Sequence, residues 1–305
     1  MKLSRRDFVR TAGAAVATAG AGLPALHSWA SPAKPASPIV IFSKVYQALM
    51  LTFAQAAEVT AEAGIDGVDC PVRPGGEILP ENATKDLPRY LEALRSRGLT
   101  MPLLTTAITD VESPHTEDIL RAAKAAGVQY YRLGFIPRAG DAPEQIKSVR
   151  EKLTPLAALN KKIGIGALIQ NHSPAGKSFL GGDLTEMEAL LDGFDPAQIG
   201  LAFDIGHAWV VHGPHWRTHF DKLKPYFKIA YAKDVKPGPQ WVRFGEGDLA
   251  GTGYFQMLRE LNYHAPVSLH IEFDWTEQGK KKDRAHLVSA IKESATVLRS
   301  WLANA

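Results

Sequence analysis

The segment LAFDIGHA (residues 201–208) decides how the chain is read. An apolar run of strand length ends abruptly in Asp204, Gly206 and His207. Three other segments share that form: IGALIQNHSP (165–174), IAYAKDV (229–235) and SLHIEFDW (268–275). Strands buried on both faces read as continuous apolar runs, which is the mark of a parallel sheet covered by helices. Polar residues at the C-terminal ends of successive parallel strands converge on one mouth, as they do where a (β/α)8 barrel builds an active site. The pattern therefore points to an enzyme.

Outward from these segments the alternation continues. Apolar, β-branched runs predict strands near 39–45, 67–72, 101–108, 129–135, 163–170, 199–206, 227–234 and 267–273. Amphipathic stretches predict helices at 54–63, 84–97, 115–126, 143–161, 184–192, 214–224, 252–262 and 284–302. Gly64, Gly98 and Gly127 stand just past predicted helix ends, where a helix stop is expected. Strand and helix in strict alternation imply parallel pairing with right-handed crossovers. Eight such units close as a single (β/α)8 TIM barrel, and the alternative of an open doubly wound sheet lacks a Gly-rich phosphate loop after its first strand.

The first thirty residues carry an address rather than a fold. Ser4-Arg5-Arg6-Asp7-Phe8 is a twin-arginine pattern, followed by a weakly apolar Ala/Gly stretch and small residues at Ser28 and Ala30. Residues 1–30 are expected to be a signal peptide, 31–38 (SPAKPASP) a linker and 39–305 the barrel. The expected location is the periplasm, with the Tat translocon as a transient partner and no stable membrane association. The precursor carries a formal charge of +3. Lys2, Arg5, Arg6 and Arg10 against Asp7 account for that whole surplus, so the mature chain is close to neutral. Neutrality and export both argue against nucleic acid as a partner. The single cysteine, Cys70, rules out an internal disulfide and a thiolate metal site.

Side chains i and i+2 along a strand share a face. If Glu272 faces the mouth, so does His270; if Lys233 does, so does Tyr231; Gln170 and His172 make a third such pair. Carboxylates with imidazoles and an amide oxygen suit a divalent Mn²⁺, Mg²⁺ or Zn²⁺ ion, held here by Asp204, Glu272, Gln170 and His207. Such an ion could polarise a carbonyl and stabilise an enediolate. A lysine desolvated at a barrel mouth can also serve as a base, which makes Lys233 a catalytic candidate beside Glu272. Asp234 reads as a capping or supporting residue.

These motifs resemble those of the xylose isomerase-like barrel superfamily of sugar isomerases and epimerases, which also holds apurinic endonucleases. In that superfamily a Glu ends the fifth strand, Asp-x-x-His the sixth, His-x-x-Asp the seventh and Glu the eighth. Asp204-Ile205-Gly206-His207 and Glu272 match, and Phe244-Gly-Glu-Gly-Asp248 resembles the loop that follows the seventh strand. Gln170 stands where the resemblance implies a Glu, and Tyr231 where it implies a His. In the epimerases the two Glu residues bind metal and exchange protons with opposite faces of the substrate carbon, and a Gln cannot take a proton. The QNHS, DIGHA and SLHxE combination looks like an exported twin-arginine-signal subgroup, some relatives of which act on 3-keto-sugars as lyases or hydratases.

Trp209, Trp216, Trp241 and Trp275 all follow the sixth to eighth strands, where indoles could stack on a sugar ring. Substrate contacts are expected from His172, His270, Arg73, Trp209, Trp241 and Trp275. Lys44 and Arg132, at the ends of the first and fourth strands, are weaker candidates. The expected function is a divalent-metal-dependent sugar isomerase or epimerase acting on a small carbohydrate, a free sugar or keto-sugar, by proton abstraction α to a carbonyl. The alternatives are a lyase or hydratase on 3-keto-glycosides, and a non-catalytic sugar-binding protein on a degenerate barrel.

Overall fold

A computed structural model describes residues 37–174, 179–276 and 282–304. Eight parallel strands close on themselves in the order β1 (Ile39–Phe42), β10 (Val267–Leu269), β7 (Phe227–Ala232), β6 (Ile199–Asp204), β5 (Gly166–Gln170), β4 (Tyr130–Arg132), β3 (Thr100–Thr106) and β2 (Gly67–Val72). Closure is explicit in the register: Val40 pairs with Gly67 on one side and with Ser268 on the other. The helices between strands are α1 (Phe53–Glu62), α2 (Ala83–Arg95), α3 (Thr116–Ala125), α4 (Ala142–Ile163), α5 (Leu184–Leu191), α6 (Ile205–His212), α7 (Trp216–Leu223), α8 (Tyr254–Glu260) and α9 (Arg284–Asn304). The expected signal peptide and most of the expected linker lie outside the described residues. Ser37 and Pro38 already belong to the barrel. Ser37 Oγ donates to the Tyr263 carbonyl at 3.0 Å, and the Pro38 carbonyl accepts from Val267 N at 2.8 Å.

The period-2 alternation divides each strand between two cores. Outward residues such as Val68, Cys70, Leu104, Ile169, Leu201, Phe203, Ala230 and Leu269 join the large apolar layer under the helices. Inward residues Leu103, Leu168, Ala202 and Ile229, with Tyr231 above them, plug the lower barrel. Two residues further along β3, β5 and β6 the interior turns polar with Thr105, Gln170 and Asp204, joined by Lys233 just past β7 and His270 just past β10, all buried. Asp69 lies in this polar layer, accepting from Thr105 Oγ1 and Ser268 Oγ, both at 2.9 Å. The apolar plug thus forms the floor on which the polar mouth stands.

Two elements depart from the sequence expectation. Residues 205–212 form α6, where the sequence predicts a strand ending at 206 and the next helix only from 214. Asp204 supplies the missing start signal: its carboxylate accepts from the backbone N–H of His207 and caps the helix. The segment after β7 carries a small antiparallel hairpin, β8 (Val235–Lys236) with β9 (Gln240–Trp241), which the periodicity did not reveal. Among the described residues no helix is long and apolar enough to cross a membrane.

Candidate active site

Asp204 is the anchor of the mouth. Its backbone is clamped by Asn171, whose amide accepts from Asp204 N and donates to Asp204 O, both at 2.8 Å. Its Oδ1 accepts from His207 N at 3.2 Å. Its Oδ2 accepts from Gln170 Nε2 at 2.8 Å and forms an ion pair with Lys233 Nζ at 3.1 Å. Lys233 Nζ also donates to His207 Nε2 at 2.8 Å, which leaves His207 Nδ1 to carry the ring proton and donate to Ser173 Oγ at 2.8 Å. Lys233 is 3% exposed and Asp204 is fully buried. Such a pair stays charged inside a protein only when every remaining hydrogen-bonding site is met, and here the amide, imidazole and helix N–H meet them.

Sequence spacing explains how the lysine reaches this corner. Gly206 is the second residue of α6, and a Cβ there would come within 2.8 Å of the Lys233 carbonyl and 2.9 Å of Lys233 Cγ. Only a residue without a side chain lets the helix start lie against the end of β7. Asp234, next along, turns away to organise the following loop. Its Oδ2 accepts from Gly245 N and Gly247 N at 2.8 and 3.0 Å, and its Oδ1 from Val235 N and Leu249 N at 2.9 and 3.1 Å. The expectation of a supporting residue describes it well.

The imidazoles are held neutral. Burial draws His207 well below its ordinary value, and the adjacent Lys233 ammonium pushes the same way. Burial lowers His270 strongly too, again with Lys233 adding to it. Burial followed by Lys233 brings His172 down to about 4. The His172 ring lies 3.7 Å from that of His207, centroid to centroid, and its Nδ1 lies 2.8 Å from the Ser173 carbonyl. A carbonyl can only accept, so His172 Nε2 keeps its lone pair. His270 packs between the rings of Phe42 (4.7 Å) and Tyr231 (4.6 Å). Neither of its ring nitrogens meets a partner among the described residues.

Glu272 and Arg73 occupy another part of the rim. Glu272 Oε2 lies 3.7 Å from Lys44 Nζ, with 27% of its side chain exposed. Arg73 sits above the Phe42 ring at 5.7 Å and feels the charges of Asp69 and Glu272. Arg132 lies deeper, 3% exposed, its guanidinium 4.4 Å from the Phe135 ring centroid. Of the indoles, Trp241 borders the cluster, 4.9 Å from the His207 ring and 5.1 Å from Lys233 Nζ. Trp209 is half-buried and donates to Asp248 Oδ2 at 3.3 Å. Trp275, 5% exposed, and Trp216, 1% exposed, are packed into the protein, and Trp216 donates to the Thr252 carbonyl.

The four expected metal ligands are therefore brought together only in part. Gln170, Asp204 and His207 converge, whereas Glu272 faces Lys44. Among the described residues no three His, Cys, Asp or Glu side chains gather where they could hold a metal ion. Of the oxygen and nitrogen that would bind the ion, Asp204 Oδ2 is ion-paired with the Lys233 ammonium and His207 Nε2 accepts from it. A divalent ion about 4 Å from that ammonium would be repelled by about 8 kcal/mol at an effective dielectric of about 20. The residues present do not fit a divalent ion with Lys233 in place. Asn171 and Ser173 are functional supports that the sequence reading passed over, although both lie inside the QNHS motif it singled out. Asp69 was equally visible as an acid within the apolar run GVDCPV.

Known proteins place this barrel. Residues 57–301 match the family model for the xylose isomerase-like TIM barrel. A D-tagatose 3-epimerase-like protein is similar at 16% identity and a TM-score of 0.66, covering 87% of this chain and 97% of its own. D-psicose 3-epimerase of Clostridium cellulolyticum H10 aligns at 12% identity and 0.64, covering 83% of this chain and 94% of its own. The 3-keto-D-glucoside 4-epimerase of E. coli aligns at 15% identity and 0.60, covering 81% and 94%. At these identities the likeness is one of fold. No curated protein matches the chain in sequence. With the family model matching residues 57–301, most of the chain, and the ring of eight strands closed, the chain belongs to the xylose isomerase-like TIM barrel family.

Proposed function

We propose that this protein is an enzyme acting on a free sugar or keto-sugar, exported by the twin-arginine route to the periplasm, and that it moves a proton on the carbon α to a carbonyl. The observation that carries the reading is the Lys233 ammonium fixed between Asp204 and His207 at the barrel mouth. One of its three hydrogens is committed to His207 and its charge is paired with Asp204, which leaves a hydrogen for a substrate oxygen. Glu272 is the carboxylate at the rim that this cluster does not consume, so it is assigned as the base. Its oxygen takes the α proton, the C–H electron pair moves into the new C=C bond, and the carbonyl oxygen gains the charge that Lys233 faces. Paired with Asp204 and donating to His207, Lys233 serves as an electrophile, not the base its position first suggested. His172, His270 and Trp241 border this centre as substrate contacts, with Arg73 beside Glu272 on the other part of the rim. Trp209 stands further out, and Trp275 is too deeply packed to meet a ring face.

Returning the proton to the same carbon on the other face gives epimerisation, and returning it to the neighbouring carbon gives isomerisation. A second reading has its own support. Gln170 is spent as a donor to Asp204, so the opposite face lacks the carboxylate that a two-base epimerase would place there. One-sided proton abstraction followed by loss of a β-substituent gives an enone, the outcome of a lyase on a 3-keto-glycoside. Proton NMR of the purified protein with a panel of keto-sugars in D2O separates the two. Deuterium at the α carbon of an intact sugar supports the first reading, a vinylic signal supports the second, and an unchanged spectrum across the panel contradicts both.

A further inference from the structure

We infer that the Lys233 ammonium is the resident cation of this barrel mouth, standing between Asp204 and His207 where a divalent ion would otherwise have to bind. The position is built rather than incidental. Nζ lies 3.1 Å from Asp204 Oδ2 and 2.8 Å from His207 Nε2, and Gln170 completes the same carboxylate oxygen at 2.8 Å. Gly206 leaves the room through which the lysine stem passes, and the Trp241 ring covers the ammonium at 5.1 Å. One carboxylate charge is met by one ammonium charge. The second anion that a divalent ion would need is turned away, since Glu272 pairs with Lys44 at 3.7 Å. Lysine is a compact point charge with three donors, able to replace an ion at a carboxylate while still presenting a hydrogen to a ligand.

The inference rests on reading this cluster as the reactive end of the barrel, and it makes proton transfer there independent of added metal. Its test reads cation binding, so its failure is separable from failure of the proposed activity. The purified protein is incubated with excess Mn²⁺, Co²⁺ or Zn²⁺, freed of unbound ion by gel filtration and assayed by elemental analysis, with melting curves taken alongside. The wild type is expected to retain far less than one equivalent and to melt at the same temperature with and without ion. Lys233→Ala is expected to melt lower, and to regain several degrees with Mn²⁺ or methylammonium as either ion fills the vacated corner. A stoichiometric metal in the wild type, or a variant whose melting ignores both cations, overturns the inference. If Lys233→Ala does not fold, the wild-type metal content decides alone. Sugar turnover by a metal-loaded wild type would overturn this inference and leave the proposed function standing; a protein that retains no metal and is inert on every sugar with and without added ion would do the reverse.

Discussion

His270 shows at the scale of one residue what it means to be held for a ligand. A buried imidazole with neither nitrogen satisfied forgoes hydrogen bonds it would make in water, while its ring contacts with Phe42 and Tyr231 are ones a phenyl group would keep. His270→Phe is therefore expected to cost less than about 1.5 kcal/mol at pH 8, as volume-conserving core changes do, and to lower turnover sharply. Its pH dependence follows from the lowered affinity for protons in the fold. The unfolded chain takes up a proton near pH 6.5 and the folded chain does not, so this stabilisation is complete above about pH 6.5 and declines as the pH falls. Between pH 6 and 5 the wild type should lose about 1 kcal/mol per pH unit more than His270→Phe, read from urea unfolding. Equal slopes would mean that His270 is already protonated in the fold. Glu77 works in the opposite sense. Burial lifts it to about 8, against Ser43 and Tyr90, so its contribution is present at low pH and is lost as the pH rises between about 4.5 and 8. Glu77→Gln should flatten the profile between about pH 4.5 and 8 and leave the slope outside that window unchanged.

At the scale of the element, the loop after β7 hangs on one carboxylate. Four backbone N–H groups from residues 235–249 donate to Asp234, and Gly247 approaches so closely that a Cβ would lie 2.3 Å from Asp234 Oδ1. Asp234→Asn keeps one acceptor and places an N–H₂ against two donors. The expected loss is about 2–4 kcal/mol in urea unfolding, because charge-assisted bonds to a buried carboxylate are among the strong ones. Gly247→Ala should lose a similar amount, and a variant within about 0.5 kcal/mol of the wild type would contradict the loop's dependence on this residue. The strands and most helices were legible from period-2 and period-3.6 patterns, with ends misplaced by a few residues. The last strand stops at Leu269 rather than 273 because its neighbour β1 offers pairing only from Ile39 to Ile41. Helix α6 was missed because its eight residues are short and apolar and follow a strand directly with no loop between, so only the capping geometry of Asp204 reveals it.

For the whole molecule, closure of the barrel was readable from the count and alternation of units, since eight parallel strands covered by helices have few other ways to bury their edges. The facing of Gln170, Asp204, Lys233 and His270 followed from the same alternation. Pairing across the mouth did not, because a sequence states which side a residue faces but not which neighbour its side chain will meet. Lys233 has a long flexible stem and could have turned to Asp234. The four amides already on Asp234 leave it for the loop, and Asp204 takes the ammonium. Glu272 was expected beside Asp204, but Lys44, at the end of the adjacent β1, holds it at the rim. The central claim is that the ammonium fixed by Asp204 and His207 stabilises charge on a sugar carbonyl. It is tested most directly by the rate of deuterium uptake α to the carbonyl of a turned-over keto-sugar, measured for the wild type and for Lys233→Met. The account predicts a rate lower by about 100-fold or more in a variant that remains folded, the loss typical of removing one donor from a developing oxyanion; a folded variant exchanging at the wild-type rate would contradict it.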